Sequence, residues 1–594
     1  MNREPPSLGA QVTSRGTRFA IFASPAQRCA VRLLAEDGSV ELHELVPQGD
    51  GYFVVEIQGV GEGARYFFDV DGRTLPDPFA RSLPEGVHGP ARVVVSHYEW
   101  RHSAPAARPL SEQVIYELHV GTFTEQGTYA AASAKLAYLA ELGITAIELL
   151  PLSSFQGTRG WGYDGVAHFA PNATYGEPDE LRRFIDAAHG LGLLVLLDVV
   201  YNHFGPAGNY LGAYYPGYFT DRHQTAWGQA PDFEALPMRR YVMDNVVYWL
   251  TEFRFDGLRF DATHAIFDPS RVHVLREAAE QARALAPHAL LIAEDERNEP
   301  ACLVDFGVQA LWADDFHHQL RVTLTGERDG YYAGYEKSVA DLARTIDGGC
   351  LYQGQRFPTS GEARGKSPAT LPCEAFVYCI QNHDQIGNRA LGSRLCHEVT
   401  LDAYCMASSI LLFLPMTPLL FMGQEWAAST PFLFFTDHDA ELGRLVTAGR
   451  RREFEGFAAF SEPSLRDAIP DPQAVATFER SILRWSEQTR EPHARVLGLY
   501  RALLALRRSD SVLRMACARA DLDARSDGQL LVVRRRGAEG HGDRILLANF
   551  GSQSVPLTSI RGLAPGTEPL FSSNASARST LLAPLEARVL AEPR

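Results

Sequence analysis

The chain has 594 residues, 45% of them hydrophobic, 22% charged and 10% aromatic, a composition that suits a folded globular protein and excludes a wholly disordered one. One ordinary core is too small for this length, so two or three domains are expected. A formal net charge of -16 argues against nonspecific binding to nucleic acid or an anionic membrane, because either would repel the chain; the same acidity also serves solubility alone.

The first segment, MNREPPSLGA, has no basic region followed by an apolar run, so no secretory signal is read and a cytoplasmic location is the expectation. Residues 1–105 read as β structure: GTRFAIFA, AVRLLA, YFVVEI and ARYFFDV are short apolar or alternating runs separated by Gly, Asp and Pro. A small sandwich is expected there. The Ala- and Pro-rich stretch from His102 to Leu110 reads as a linker.

From Val114 the texture changes to alternating strands and helices. The strands are VIYELHV (114–120), TAIELLP (145–151), LLVLLD (193–198), GLRFD (257–261), LLIAE (290–294), FVYCIQ (376–381) and PLLFMG (418–423). Between them lie helical stretches near Leu136–Leu142, Leu181–His189, Tyr241–Phe253 and Val274–Leu285. Continuous apolar strands alternating with helices predict a parallel sheet buried on both faces, and eight such units close a (β/α)8 TIM barrel. The segment from Asp295 to Glu374 reads as an insertion shaping the barrel mouth, since structureless loops of that length are uncommon. Tyr404 to Gly423 carries no charge and is as long as a membrane-spanning helix, but Pro415 and Pro418 interrupt it. A buried helix ending near Leu414 followed by a strand explains it better. ARVLGLYRALLALRRSD (494–510) reads as the last barrel helix, and short strands such as QLLVVRRRG and RILLANF follow. The expected class is therefore α/β, a barrel over 106–514 between an N-terminal β-sandwich and a C-terminal β domain over 515–594.

The eight cysteines are scattered without a CxxC pair, so neither a zinc site nor a disulfide framework is expected. Polar groups stand at the C-terminal ends of the strands: Asp198 with His203, Asp261, Glu294, and Asn382 with His383 and Asp384. In a barrel those ends converge on one mouth, where catalytic groups sit. Taken singly, an Asp at a strand end is more often a cap or an ion pair, and a solitary His more often a structural hydrogen-bonder.

Four blocks, DVVYNH (198–203), GLRFDATH (257–264), LIAED (291–295) and QNHDQIGN (381–388), resemble in order and strand position the α-amylase superfamily of glycoside hydrolases. The resemblance implies a retaining mechanism with Asp261 as nucleophile, Glu294 as acid/base and Asp384 as a third carboxylate on sugar hydroxyls. Arg259, two residues before Asp261 on the same strand face, would keep the nucleophile ionised. His203 and His383 resemble the pair that contacts the glucose at the cleaved bond, Tyr163 an aromatic platform under that sugar, and Asp198 a group that organises the mouth. Around the blocks, Phe260, Ala262, Thr263, His264, Asn382, Gln385, Ile386, Gly387 and Asn388 are carried as substrate-lining positions. No oxygen-rich calcium set can be matched, so no metal and no cofactor are expected.

The N-terminal β region together with WGYDGV and FAPNATYG resembles the branch that holds branching enzymes, debranching enzymes and the hydrolases acting on malto-oligosyltrehalose. ELHVGTFTEQGTY, DVVYNHFGPAGNYL, IAEDERN, LWADDFHHQLRVTLTGERDGYY and QNHDQIGNRALG are similar to the last group. That implies cleavage by water of the α-1,4 bond next to a terminal trehalose, with Asp314, Asp315, Phe316, His317 and His318 and the residues after Asp384 recognising the trehalose. An obligate protein partner is not indicated. A branching enzyme would use the same three carboxyls with a glucan in place of water; a glucan-binding scaffold with a decayed barrel would not need all of them intact.

Overall fold

The structure is a computed structural model describing residues 6–593 apart from 456, 458, 459, 461, 539, 565, 566 and 575–579. Eight parallel strands close into a barrel: Ile115–Leu118, Ala146–Leu149, Leu194–Val199, Gly257–Phe260, Leu290–Glu294, Ala310–Trp312, Phe376–Tyr378 and Thr417–Phe421, the first pairing with the last through Ile115 and Leu419. Because side chains alternate along each strand, one set (Ile115, Ala146, Leu196, Ile292, Ala310, Trp312, Leu419) packs together as one apolar cluster. The alternate set, including Tyr116, Ile147, Val195, Leu258 and Leu291, joins the large cluster with the surrounding helices. Helices Pro178–Gly190, Leu236–Glu252, Val274–Leu285 and His493–Ser509 occupy the stretches read as helical.

The sixth strand, Ala310–Trp312, lies inside the segment expected to be an insertion, and helices Asp314–Thr325 and Val339–Gly348 follow it. That expectation is corrected: the segment supplies a full barrel unit. Three residues are too few to display an apolar run, and the strand is defined by its neighbours, Glu294 pairing with Trp312 and Leu311 with Phe376.

The uncharged stretch before Gly423 forms helix Leu401–Phe413 and strand Thr417–Phe421, and every helix residue from Ala403 is buried. No helix among the described residues is long and apolar enough to cross a membrane. The helix is held at both ends. Thr400 Oγ1 accepts from the Ala403 N–H at 3.3 Å, while Arg507 donates to the carbonyls of Leu412, Leu414 and Met416 and Arg535 to that of Phe413. Terminal carbonyls that the helix cannot satisfy itself are met by these two buried guanidiniums. Arg535 belongs to the C-terminal five-stranded antiparallel sheet, so the same contacts dock that sheet on the barrel. At the other end of the chain, two antiparallel sheets of four and five strands enclose Phe19, Ile21, Val31, Phe53, Tyr66 and Phe68, the arrangement of a sandwich.

Candidate active site

The strand pattern brings charged side chains into one layer near the C-terminal ends. Asp198 and Arg259 are register partners on the third and fourth strands, and Glu294 closes the fifth. Burying charge is costly unless it is paired. Arg259, 0% exposed, does the pairing: Nη1 donates to both oxygens of Asp198 (2.8 and 2.7 Å) and to Asp261 Oδ1 (2.7 Å). Its Nη2 stands 2.7 Å from Glu294 Oε2, an ion pair that lacks hydrogen-bond alignment. The guanidinium also lies 4.2 Å from the centre of the Trp312 ring, a cation–π contact.

Around this cation the two central carboxyls diverge. Burial opposes ionisation of Asp261, but Arg259 and His203, with a hydrogen bond from Asn202 Nδ2 at 2.7 Å, outweigh it and hold the carboxyl below its ordinary range. For Glu294 burial prevails: Arg259 opposes it, the neighbouring charges of Asp261 and Asp384 reinforce it, and the carboxyl is pushed well up. The two carboxyls are displaced in opposite directions, Asp261 toward the ionised form and Glu294 toward the protonated one, the division of labour that acid-assisted displacement at a glycosidic carbon requires. Ala262 between them has φ +38°, a left-handed conformation that strains a residue with a Cβ. The strain serves a contact, since its N–H donates to Glu294 Oε2 at 2.9 Å. Thr263 Oγ1 lies within hydrogen-bond reach of two acceptors, the Glu294 carbonyl (2.7 Å) and Asp295 Oδ2 (3.0 Å), between which its one proton is shared.

Asp384 sits on the short helix His383–Gly387, which Asn382 Oδ1 caps by accepting from the Gln385 N–H, and Asn388 Nδ2 donates to Asp384 Oδ1 at 3.1 Å. Half-buried Tyr163 stacks on His383 (ring centres 5.0 Å apart, planes at 19°) and donates to Asp198 Oδ2 at 2.6 Å. Burial raises Asp198 to about 6, with Arg259 opposing. Both ring nitrogens of His203 face protein oxygens, Asn202 Oδ1 and the Tyr163 carbonyl. His264, half-buried, stands 3.5 Å from Glu296.

Other expected sugar contacts are not placed to make one. Phe260 and Ile386 are buried in the core. Gly387 is covered by Trp161, so close that a Cβ would lie 2.1 Å from the indole. Within the run 314–318 the expectation needs correcting. Asp315, 0% exposed, accepts from Tyr335, Asn298 and the N–H groups of Leu351 and Tyr352. Phe316 stacks on Tyr378, and His317 bonds the Ile380 carbonyl and Tyr332. These three are committed to the protein interior. Asp314 instead accepts from Gln385 at 3.4 Å, and burial with the nearby Asp384 charge raises it to about 6. His318 is ringed by Tyr331, Tyr332 and Tyr335, and Tyr331 is 42% exposed and bonds Gln385.

Sequence reading passed over four residues. Asn202 lies within the first block without a role assigned; Glu117 is hidden in an apolar strand; Tyr331 follows the DDFHH helix. Trp227, 42% exposed, stacks on His203 at 3.6 Å from the turn of the hairpin formed by Phe219–Thr225 and Gly228–Pro231, where only an aromatic in an otherwise polar stretch could have signalled it.

The sequence matches the alpha amylase catalytic domain over residues 73–214 and carbohydrate-binding module 48, the isoamylase N-terminal domain, over residues 7–98. It is 50% identical over 551 residues to a malto-oligosyltrehalose trehalohydrolase of Deinococcus radiodurans, covering 92% of this chain and 89% of that one. With the enzyme of the same name from Saccharolobus solfataricus it shares 35% identity over 541 residues, 89% of this chain and 91% of that one. A crystal structure from Salmonella typhimurium, described as a candidate alpha amylase, has a TM-score of 0.90 at 39% identity and covers 99% of this chain and 100% of that one. By sequence along almost its whole length, by its barrel and by its N-terminal module, this chain belongs to the malto-oligosyltrehalose trehalohydrolase family of the α-amylase superfamily.

Proposed function

We propose that the chain hydrolyses the α-1,4-glucosidic bond next to the terminal trehalose of malto-oligosyltrehalose, with retention. The Asp261 carboxylate attacks the anomeric carbon of the malto-oligosyl unit while Glu294 gives its proton to the departing oxygen, which leaves with trehalose. Water then attacks the glycosyl ester, Glu294 takes the proton from that water, and Asp261 is released as a carboxylate. Asp384, with Asn388 beside it, holds hydroxyls of the sugar being cleaved, Tyr163 stacks beneath that sugar, and Asp314 with Gln385 faces the trehalose. The observation that carries the reading is the placement of Asp261 and Glu294 on one buried guanidinium, 2.7 Å from Arg259 Nη1 and Nη2 respectively, at the C-terminal ends of adjacent barrel strands. A cytoplasmic location belongs to the same reading, supported by eight cysteines that all stand as free thiols.

The test is incubation with maltotriosyltrehalose and analysis of the sugars. Trehalose and maltotriose are the expected products; intact substrate, or branched glucans without trehalose, refutes the reading. Asp261→Asn should abolish turnover and leave the fold intact, and an active variant would show that another group attacks.

A further inference from the structure

Two glutamates inside the barrel have no part in the bond cleavage described above. Glu117 and Glu148 are register partners on the first two strands, 1% and 0% exposed. Their surroundings differ. Glu117 Oε1 lies 2.5 Å from His383 Nδ1, and its Oε2 accepts from the His383 backbone N–H at 3.1 Å. Neither oxygen of Glu148 has a hydrogen-bond partner among the described residues, and burial, reinforced by the charge of Glu117, pushes its carboxyl well up into the neutral form. On the opposite edge of the ring, His383 Nε2 stands 3.5 Å from Asp384 Oδ1. Tyr163 stacks on one face, with Trp161 edge-on at 5.7 Å. The imidazole is thus held between two carboxylates, one facing each nitrogen. A neutral ring carries one N–H and one lone pair, so it would turn a lone pair toward one of them.

We propose that Glu117 is a positioning residue that keeps His383 doubly protonated and fixes the ring edge-on to Asp384, so that Asp384 meets the sugar as one half of a rigid cation–anion pair. The proposal rests on the site reading above. Titratable groups face the ring from several elements. Burial and Arg259 oppose the cation and Asp384 and Glu117 favour it, with the outcome that His383 is raised to about 10. Asp198 on the third strand and Glu148 on the second also feel the ring, as does His119 just beyond the first, itself pushed by burial down to about 4 and so uncharged. Of the two glutamates only Glu117 touches the ring, through Nδ1 and the backbone N–H of His383.

The wild-type protein, labelled with 15N-histidine, tests this directly, the His383 resonances being identified by their loss in His383→Gln. Both ring nitrogens should stay protonated from about pH 6 to about pH 8, the interval in which an ordinary histidine loses its charge; a ring that titrates there overturns the proposal. Glu117→Gln keeps an acceptor but removes the charge. His383 should then titrate within that interval, and kcat should fall about tenfold or more at pH 8 with KM changed less, recovering toward pH 6 as the ring recharges. Glu148→Gln should keep the wild-type profile. A Glu117→Gln enzyme whose pH profile matches wild type refutes the role. Should Glu117→Gln not fold, the wild-type titration still decides. A charged His383 in a protein that releases no trehalose would refute the substrate and leave Glu117 its role.

Discussion

Replacing Arg259 by Lys asks whether a single guanidinium sets the chemistry. The arginine reaches Asp198 and Asp261 through Nη1 and Glu294 through Nη2, all at 2.7 to 2.8 Å, and lies on Trp312. An ammonium is one point charge without that planar fork, so at least one carboxylate loses its partner. Breaking a buried ion pair on one side costs about 3–5 kcal/mol. If the loss falls on ionised Asp261, and so on the transition state, about 1.4 kcal/mol per tenfold makes it a fall in kcat/KM of roughly a hundredfold to a few thousandfold. The pH dependence carries the sign. In the wild type, Asp261 is held below the ordinary carboxylate range, so activity survives acidification until the pH drops through that lowered value. Without the guanidinium the burial penalty on Asp261 prevails, its carboxyl moves up, and the acid limb of kcat/KM moves toward neutrality. Initial rates of trehalose release between about pH 4 and pH 8 give both quantities. A Lys variant with wild-type kcat/KM, or one that loses activity while its acid limb stays in place, refutes the assignment of Arg259 as the source of the Asp261 charge.

Away from the reacting bond, Glu425 is fully buried, accepts from Tyr116 (3.2 Å) and Tyr138 (2.9 Å), and is raised by burial from 4.5 to about 7. A carboxyl raised on folding contributes its full share of stability below the unfolded value and loses it as pH climbs through the folded one. Each tenfold change in proton affinity on folding is worth about 1.4 kcal/mol, so Glu425→Gln should stabilise the protein by about 3 kcal/mol above pH 7 and have little effect near pH 4; urea melts at the two pH values measure it, and equal effects at both refute the reading. Gly387→Ala would set a Cβ 2.1 Å from an indole that is stacked on Phe432 and bonded to the Leu433 carbonyl. The helix carrying Asp384 must then shift, at a cost of about 1–3 kcal/mol, with lower kcat; a variant with unchanged melting temperature and rate would show that Trp161 yields instead.

What the sequence disclosed follows from what burial costs. A carboxyl ending an apolar strand is expensive unless something compensates it, so Asp198, Asp261 and Glu294 stood out, and Arg259 was found as the nearest compensator. The sixth strand was not legible, because its three residues acquire meaning only from strands more than fifteen residues before it and sixty after it. The run Asp314–His318 shows a different limit. Its residue types suit sugar hydroxyls, but the run opens a helix, and each helical residue turns about 100° from the last, so five in succession cannot all face one cleft. Asp314 reaches Gln385, whereas Asp315, Phe316 and His317 turn into the protein. Glu117 fails the same test in reverse: its strand reads as core, and only the closed barrel, by bringing His383 across from beyond the seventh strand, turns a buried charge into a partner for the ring beside Asp384. Strand position and the resemblance of the four blocks thus pointed to Asp261, Glu294 and Asp384, while the groups that orient them depend on direction and closure, which arise only when the barrel forms.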